Sequence, residues 1–193
     1  TGNVMIDSLA NYLPKAEQSK FLEEYKLENE KFILVTLHRP SNVDNIEQLI
    51  KIFNILNNLA KETKIIFPIH PRTRKNLTEF DILNTLSPNI ILVDPIGYID
   101  FINCIAKAQL ILTDSGGIQE ESTYLGVQCI TLRETTERPI TVEIGTNQLL
   151  GFDLEKAEKA AFSVLSGNIK KGEIPELWDG HAAERITDII VNK

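Results

Sequence analysis

Residues 110–121 read LILTDSGGIQEE, an apolar run followed by a polar turn with two glycines. The apolar run has the length of a buried strand, and the segment from Ile118 onward has the spacing of a helix. Gly116 and Gly117 allow the backbone to approach a ligand closely, and the free amides at the start of a helix attract an anion. This stretch therefore predicts a strand, a turn and a helix that together can bind a diphosphate.

Two side chains in the same stretch suit a nucleotide. Ser115 adds a hydroxyl donor, and Glu121, about one helical turn inside, can accept two hydrogen bonds from a ribose diol, as acidic residues do in dinucleotide sites. The glycine spacing is neither GxGxxG nor a P-loop, which disfavours NAD-dependent chemistry and ATP hydrolysis. The alternative is that the glycines serve only the tight packing of the strand against the helix.

Further apolar runs of strand length lie on both sides of this stretch, at residues 32–37, 64–69, 90–93, 128–132 and, less clearly, 147–150. Between them, apolar residues recur at three- and four-residue steps, which predicts helices at 46–59, 72–83, 98–107, 118–125 and 154–165. Residues 3–25 also look helical, and 179–191 look like a closing helix. Uniformly apolar strands that alternate with helices indicate an α/β domain with a doubly wound, mostly parallel, Rossmann-like sheet. Its ligand should lie beyond the carboxyl ends of the strands.

Histidines follow the first two predicted strands. His38 and Arg39 come directly after the first strand, and His70 comes after the second, with arginines beside it. His38 and Arg39 can face a phosphate, or they can merely satisfy carbonyl groups of their loop. The basic segment at His70 is a weak signal, because a basic start to a helix is often solvated surface.

An aromatic residue and two arginines complete this edge. Phe101, near the start of the helix after the third strand, can lie against a nucleobase or belong to the core. Arg133 and Arg138, after the fifth strand, can offer bidentate donors to a phosphate. They can equally form surface ion pairs with Glu134 and Glu137, which would contribute little to stability.

Composition narrows the class of protein. The 193 residues carry a net charge of -7, which argues against a protein that binds nucleic acid or an anionic membrane, but not against a small anionic ligand. Cys104 and Cys129 lie in apolar segments without CxxC spacing and are predicted to be core residues, so no metal site is predicted. No signal peptide and no apolar run of about 18 residues is visible, which predicts a cytoplasmic protein. The chain starts at Thr1 without Met, as an excised piece of a longer protein would.

Four segments, at 38–42, 94–101, 114–121 and 135–139, resemble in order and spacing the carboxyl-terminal half of non-hydrolysing UDP-N-acetylglucosamine 2-epimerases. The segments at 114–121 and 135–139 are the most specific, and the likeness covers nearly the whole chain. The resemblance implies the second domain of a GT-B type enzyme, with a UDP-sugar between the two domains. Residues 1–193 would be the UDP-binding domain, with 1–13 as hinge and 179–193 as closing helix. The amino-terminal domain would be absent from the chain.

The resemblance also assigns residues by position. It implies a catalytic role for His38, which faces the phosphates with Arg138, and a possible allosteric contact of His70 with a second UDP-sugar. It places Phe101 at the uracil and Glu121 at the ribose hydroxyls. The UDP-binding set it implies consists of Arg39, Phe101, Ser115, Gly116, Gly117, Glu121 and Arg138.

The implied reaction is a reversible elimination without a cofactor. The C2 proton is removed, UDP leaves C1 to give 2-acetamidoglucal, and both return with the proton on the opposite face. This domain would stabilise charge on the departing diphosphate, while the carboxylates that move the proton would come chiefly from the other domain. Members of the family are usually homodimers and usually supply cell-surface polysaccharide precursors.

Two departures from the family pattern keep alternatives open. Pro40 and Ser41 follow the His-Arg pair, where the family usually has Arg-Glu or a similar pair, and Ile140 stands where a glutamate commonly follows Arg-Pro. The sugar could therefore be a diacetamido or uronic acid derivative. The alternatives are a hydrolysing epimerase, a GT-B glycosyltransferase and a non-catalytic nucleotide-sugar-binding domain.

Overall fold

The computed structural model describes residues 1–192, which contain a six-stranded sheet. The strands are β1 (Phe32–Thr36), β2 (Lys64–Pro68), β3 (Ile90–Val93), β4 (Leu110–Thr113), β5 (Gln128–Thr131) and β6 (Asn147–Leu149). They lie in the order β3-β2-β1-β4-β5-β6, and every pair is parallel. The prediction of a doubly wound parallel sheet is confirmed. The order reverses between β1 and β4, which is the point where ligands bind in such sheets.

Helices cover both faces of the sheet. They are α1 (Val4–Ala16), α2 (Phe21–Glu24), α3 (Pro40–Val43), α4 (Ile46–Leu59), α5 (Pro71–Glu79), α6 (Tyr98–Lys107), α7 (Gly116–Tyr124), α8 (Pro139–Glu143), α9 (Leu154–Leu165) and α10 (Ala182–Val191). None of the helices in residues 1–192 is long and apolar enough to cross a membrane.

Strand β1 shows how the sequence builds the two cores. Its residues are apolar throughout, and successive side chains point to opposite faces of the sheet. Ile33 and Val35 join the core under α4 and α9, whereas Phe32 and Leu34 join the core on the side of α6, and all four are fully buried. Both faces of the central strand are therefore buried, and polar residues lie only at its ends.

Several predicted boundaries needed correction. The helix predicted at 72–83 ends at Glu79, since Asp81 has a positive φ of 55° and a 3-10 turn at Leu83–Thr85 follows. The single helical segment predicted at 3–25 is two helices, α1 and α2. The short helices α3 and α8 were not predicted, although each begins with a proline in its first turn, which is a known start signal.

The ends of the chain pack against the domain. Asp7 of α1 accepts hydrogen bonds from the amides of Ala182 and Ala183 (3.0 and 2.7 Å) at the start of α10. The predicted closing helix starts later than expected, at Ala182, and its predicted end at residue 193 lies outside the described residues. The hinge role of residues 1–13 stays a prediction.

The two cysteines are core residues, as predicted. Cys104 and Cys129 are fully buried and free, and burial raises the pKa of Cys104 to about 12 and that of Cys129 to about 11. Because the thiolate is the reactive form, we expect Ellman's reagent to modify neither thiol in the folded chain and both in urea. Rapid modification of either thiol without denaturant would show that the core around it opens.

Candidate functional site

The start of α7 is an open helix terminus at the carboxyl edge of the sheet. Ser115 precedes the helix with extended backbone, and within the described residues its side chain makes no capping hydrogen bond. Its own amide donates to Thr113 Oγ1 (3.0 Å), which fixes the turn. The amides of the first turn have no partner inside the helix, and their positive end of the helix dipole faces outward. This terminus therefore has the geometry of an anion site.

Packing does not require a glycine at position 116, whereas Gly117 lies close to the side chain of Met5. A Cβ atom at Gly116 would meet only Glu137 Oε2, at 3.8 Å, and one at Gly117 would meet the flexible end of Met5, at 3.1 Å. Gly145 is a contrast, because a Cβ atom there would lie 2.4 Å from both γ atoms of Thr123. For Gly116 the structure thus disfavours the alternative that the glycine serves only the contact of strand and helix, and the space beside it is free for a ligand.

A buried amide ties the loop after β5 to this turn. Gln119 is fully buried, its Nε2 donates to Ser115 O (3.1 Å), and its Oε1 accepts from Thr136 Oγ1 (2.6 Å) and Asn147 Nδ2 (3.1 Å). Gln119 and Asn147 were not among the predicted site residues. A buried polar residue must be hydrogen-bonded, but the burial of Gln119 and Asn147 could not be predicted from the sequence.

Glu121 is a buried carboxyl group one turn beyond the open amides. Its side chain accepts a hydrogen bond from Tyr98 Oη (3.1 Å), and the residue is only 4% exposed. Burial raises the pKa of Glu121 to about 7, helped by the charge of Glu120 and opposed by the hydrogen bond from Tyr98. The ring of Tyr98 meets Tyr12 of α1 edge to face, with centroids 5.9 Å apart. Glu121 is therefore held in one position and titrates near neutrality.

His38 is joined to the β4–α7 turn by Asp114. Asp114 is fully buried and accepts hydrogen bonds from the amides of His38 (3.2 Å) and Arg39 (2.9 Å) and from Asn42 Nδ2 (3.0 Å). Its Oδ1 lies 3.1 Å from His38 Nδ1. The imidazole of His38 thus contacts this carboxylate rather than carbonyl groups of its loop, whereas Arg39 contacts it through its backbone amide.

A cavity of about 210 Å³ lies beyond the ends of β1, β2 and β3. It is lined by His38, His70 and Phe101 together with Thr36, Leu37, Pro68, Pro95 and Ile96. Phe101 also packs against the core on the α6 side, so its core role is confirmed, while its contact with a nucleobase stays a prediction. The Nδ1 atom of His70 accepts from the amide of Arg72 (3.2 Å) and so caps α5, while an allosteric role for His70 stays a prediction.

Both arginines of the loop after β5 form ion pairs. Arg133 pairs in bidentate fashion with Glu137 (2.7 and 2.9 Å), and Arg138 Nε lies 2.7 Å from Glu120 Oε1. The second partner was not expected, because Glu120 is buried in α7 and also accepts from Asn3 Nδ2 (2.7 Å). The side chain of Arg138 is 40% exposed, which leaves part of its guanidinium accessible to a ligand.

The predicted residues thus converge on one edge of the sheet. Ser115, Gly116, Gly117 and Glu121 share the start of α7, while Asp114 links His38 and Arg39 to that start. Arg138 is linked through Glu120, and the cavity with Phe101 and His70 borders His38. The arrangement offers an anion site, a buried carboxyl acceptor and an apolar cavity side by side, which are the elements needed to bind a nucleoside diphosphate.

Comparisons with known proteins show the family to which the chain is similar. The sequence model of the UDP-N-acetylglucosamine 2-epimerase family matches residues 1–191. The UDP-N-acetylglucosamine 2-epimerase of Methanococcus maripaludis is 42% identical over 197 residues, covering 98% of this chain and 53% of that protein. The UDP-2,3-diacetamido-2,3-dideoxy-D-glucuronate 2-epimerase of Pseudomonas aeruginosa is 31% identical over 191 residues, covering 98% of this chain and 51% of that protein.

A solved structure gives the same result for the fold. The UDP-GlcNAc 2-epimerase of Methanocaldococcus jannaschii, in complex with UDP-GlcNAc and UDP, superposes with a TM-score of 0.85 and 39% sequence identity. The match covers 100% of this chain and 54% of that one. The chain therefore spans about half the length of the relatives it matches.

Proposed function

The chain belongs to the UDP-N-acetylglucosamine 2-epimerase family, and from this premise we propose that it is the UDP-binding half of an enzyme that interconverts UDP-GlcNAc and UDP-ManNAc. The match to the family corresponds to the carboxyl-terminal half of its relatives and to the second domain of a GT-B fold. The observation that carries the proposal is the uncapped start of α7, with the buried Glu121 one turn behind it.

The proposed placement of UDP follows from the three elements of the site. The diphosphate lies on the first-turn amides at Gly116 and Gly117, and the surroundings of Gly116 are open to its approach. The ribose hydroxyls donate to Glu121, and the uracil enters the cavity beside Phe101. Arg138 and Arg39 supply positive charge at the edges of this path.

The proposed chemistry is elimination and re-addition. A base removes the proton at C2, the C1–O bond breaks with its electrons going to the diphosphate, and UDP leaves the unsaturated sugar. The reverse addition with the proton on the opposite face gives the epimer, so the overall reaction is redox-neutral. The residues of this domain stabilise the leaving group through fixed amides, His38 and Arg138, because donors that are already oriented cost no reorganisation during the reaction. The proton-transfer carboxylates are assigned to the other half of the enzyme.

Two measurements on the chain test this proposal. Calorimetric titration is expected to show one saturable site for UDP and weaker binding of uridine, which lacks the anion. Incubation with UDP-GlcNAc in D₂O is expected to give neither UDP-ManNAc nor exchange of the C2 proton by NMR. Absence of UDP binding would contradict the binding site, and turnover by the chain alone would contradict the assignment of proton transfer to the other half.

Product analysis of the two-domain enzyme separates the alternatives. UDP-ManNAc identifies a non-hydrolysing epimerase, whereas free ManNAc with UDP identifies a hydrolysing one. Release of UDP only when an acceptor is present identifies a glycosyltransferase. UDP-diacetamido-glucuronate should be assayed beside UDP-GlcNAc, because Ile140 replaces a carboxylate common in the family and one relative acts on that sugar.

A further inference from the structure

The turn after β4 contributes a further residue to the site, Asp114, which acts through His38. We propose that Asp114 is a positioning residue that holds the His38 imidazole with Nδ1–H directed at its carboxylate and Nε2 left free for the diphosphate. The identity of the ligand at Nε2 rests on the proposed function, whereas the orientation of the ring rests on the structure alone.

The sheet brings the two residues together. Strands β1 and β4 pair in parallel, with Thr36 opposite Thr113, and the hydroxyls of these two residues are 2.8 Å apart. Asp114 follows directly after Thr113, and His38 follows two residues after Thr36. The imidazole and the carboxylate therefore meet just beyond the ends of adjacent strands, with Nδ1 and Oδ1 3.1 Å apart.

Asp114 is itself immobile. It is fully buried, and the amides of His38 and Arg39 and the side chain of Asn42 donate to it. Asn42 also donates to Leu132 O (3.1 Å), which anchors this contact to the end of β5. Burial opposes the ionisation of Asp114, but the hydrogen bonds from His38, Asn42 and Arg39 outweigh burial and lower its pKa. Asp114 is consequently a fixed anion rather than a mobile side chain.

A fixed carboxylate determines the tautomer of His38. An ionised carboxylate only accepts hydrogen bonds, so Nδ1 must carry the proton and Nε2 is the free nitrogen. The hydrogen bond to Asp114 raises the pKa of His38, against the lowering effects of partial burial and of Arg39. The other charged or titratable groups near this pair are Arg133, whose charge interacts with Asp114, Glu137, whose charge interacts with Arg39, and His70, across the cavity.

This arrangement gives His38 a defined task. Once protonated, the ring donates from Nε2 and carries a positive charge that a departing diphosphate needs. Because the ring cannot rotate without losing Asp114, this donor is oriented before the ligand arrives. The side chain of His38 is 47% exposed, so the free nitrogen remains accessible from the ligand side.

The chain contains its own control for the tautomer. Nδ1 of His70 accepts a hydrogen bond from the amide of Arg72, so neutral His70 must carry its proton on Nε2. Long-range ¹H–¹⁵N NMR of the labelled chain between pH 5 and 9 distinguishes the two tautomers, with His38→Gln and His70→Gln used for assignment. We expect neutral His38 to be protonated on Nδ1 and His70 on Nε2. Protonation of neutral His38 on Nε2 would overturn the proposal.

The pH titration provides a second readout. We expect the pKa of His38 to exceed the ordinary 6.5 and to fall in Asp114→Asn, because the hydrogen bond to a carboxylate is lost. UDP should raise it further, whereas uridine should not. An unchanged pKa in folded Asp114→Asn would overturn the proposal, and if this variant does not fold, the tautomer in the wild type decides. Failure of UDP to bind with the expected tautomer present would overturn the proposed function and leave the positioning role intact.

Discussion

Replacement of Glu121 by glutamine is expected to weaken UDP binding by about 1–3 kcal/mol, or roughly 5- to 150-fold, the scale for hydrogen bonds to a charged group. The carboxylate is buried and held by Tyr98, so no other conformation compensates for its loss. Calorimetry at pH 8 measures the effect. Glu62→Gln, an exposed change at the opposite edge of the sheet, is the matched control and should bind UDP like the wild type.

The effect of Glu121→Gln on UDP affinity should depend on pH. The pKa of Glu121 is about 7, so the carboxylate acceptor is lost as the pH falls through 7. The ratio of wild-type to variant affinity for UDP should therefore decrease as the pH is lowered from 8 to 6. The titration of UDP and of His38 affects both proteins equally and does not change this ratio. If this ratio stays constant over the range, or is near one at pH 8, Glu121 does not bind the ribose.

Loss of folding does not explain the expected result for Glu121→Gln. An acid whose folded-state pKa lies above its ordinary 4.5 destabilises the fold increasingly as the pH rises from about 4.5 to 7. Glutamine removes this effect, so the variant should be at least as stable as the wild type at pH 8 in urea unfolding. A clear drop in its unfolding midpoint would indicate that Glu121 serves packing rather than binding.

Substitution of Gly116 by valine is expected to reduce UDP affinity at least about tenfold while leaving the fold intact, because its side chain would cover the first-turn amides of α7. The backbone there does not have a positive φ, and a Cβ atom would meet only Glu137 Oε2 at 3.8 Å. Calorimetry measures the affinity, and urea unfolding of the same variant provides the control. Gly116→Ala should lie between the wild type and valine.

Two outcomes would contradict this interpretation of the glycine turn. Undiminished UDP binding by a folded Gly116→Val would mean that the diphosphate lies elsewhere. Unfolding of Gly116→Ala would restore the packing alternative that the geometry disfavours. At Gly145 a Cβ atom would approach Thr123 to 2.4 Å, so Gly145 is an example of a glycine that packing does require.

Much of the fold followed from local sequence. The run that became β3 was predicted with its observed ends, as were the helices α4, α6 and α9. Burial on both faces requires apolar residues throughout a strand, and a surface helix requires a 3.6-residue period, so both are written in neighbouring residues. The glycine turn and the carboxylate behind it were likewise visible, since they lie within eight residues.

The connections within the site depended on tertiary structure. Asp114 and the amide of His38 are 76 residues apart, and Asn3 and Glu120 are 117 apart. The apolar periodicity of the sequence cannot predict such pairs, because they depend on which strands become neighbours in the sheet. The same holds for Arg138, whose partner is Glu120 rather than the glutamates beside it in sequence, and for His70, which shares a cavity with Phe101.

The sequence alone therefore determined the class of fold, the edge of the sheet at which a ligand is expected and the turn that can hold a diphosphate. These depend on apolar period, strand direction and glycine spacing, all of which are local. Only the tertiary structure decided which buried carboxylates face which cations and which histidine nitrogen is free. Those contacts are set by strand order and register, which result from packing summed over the whole domain.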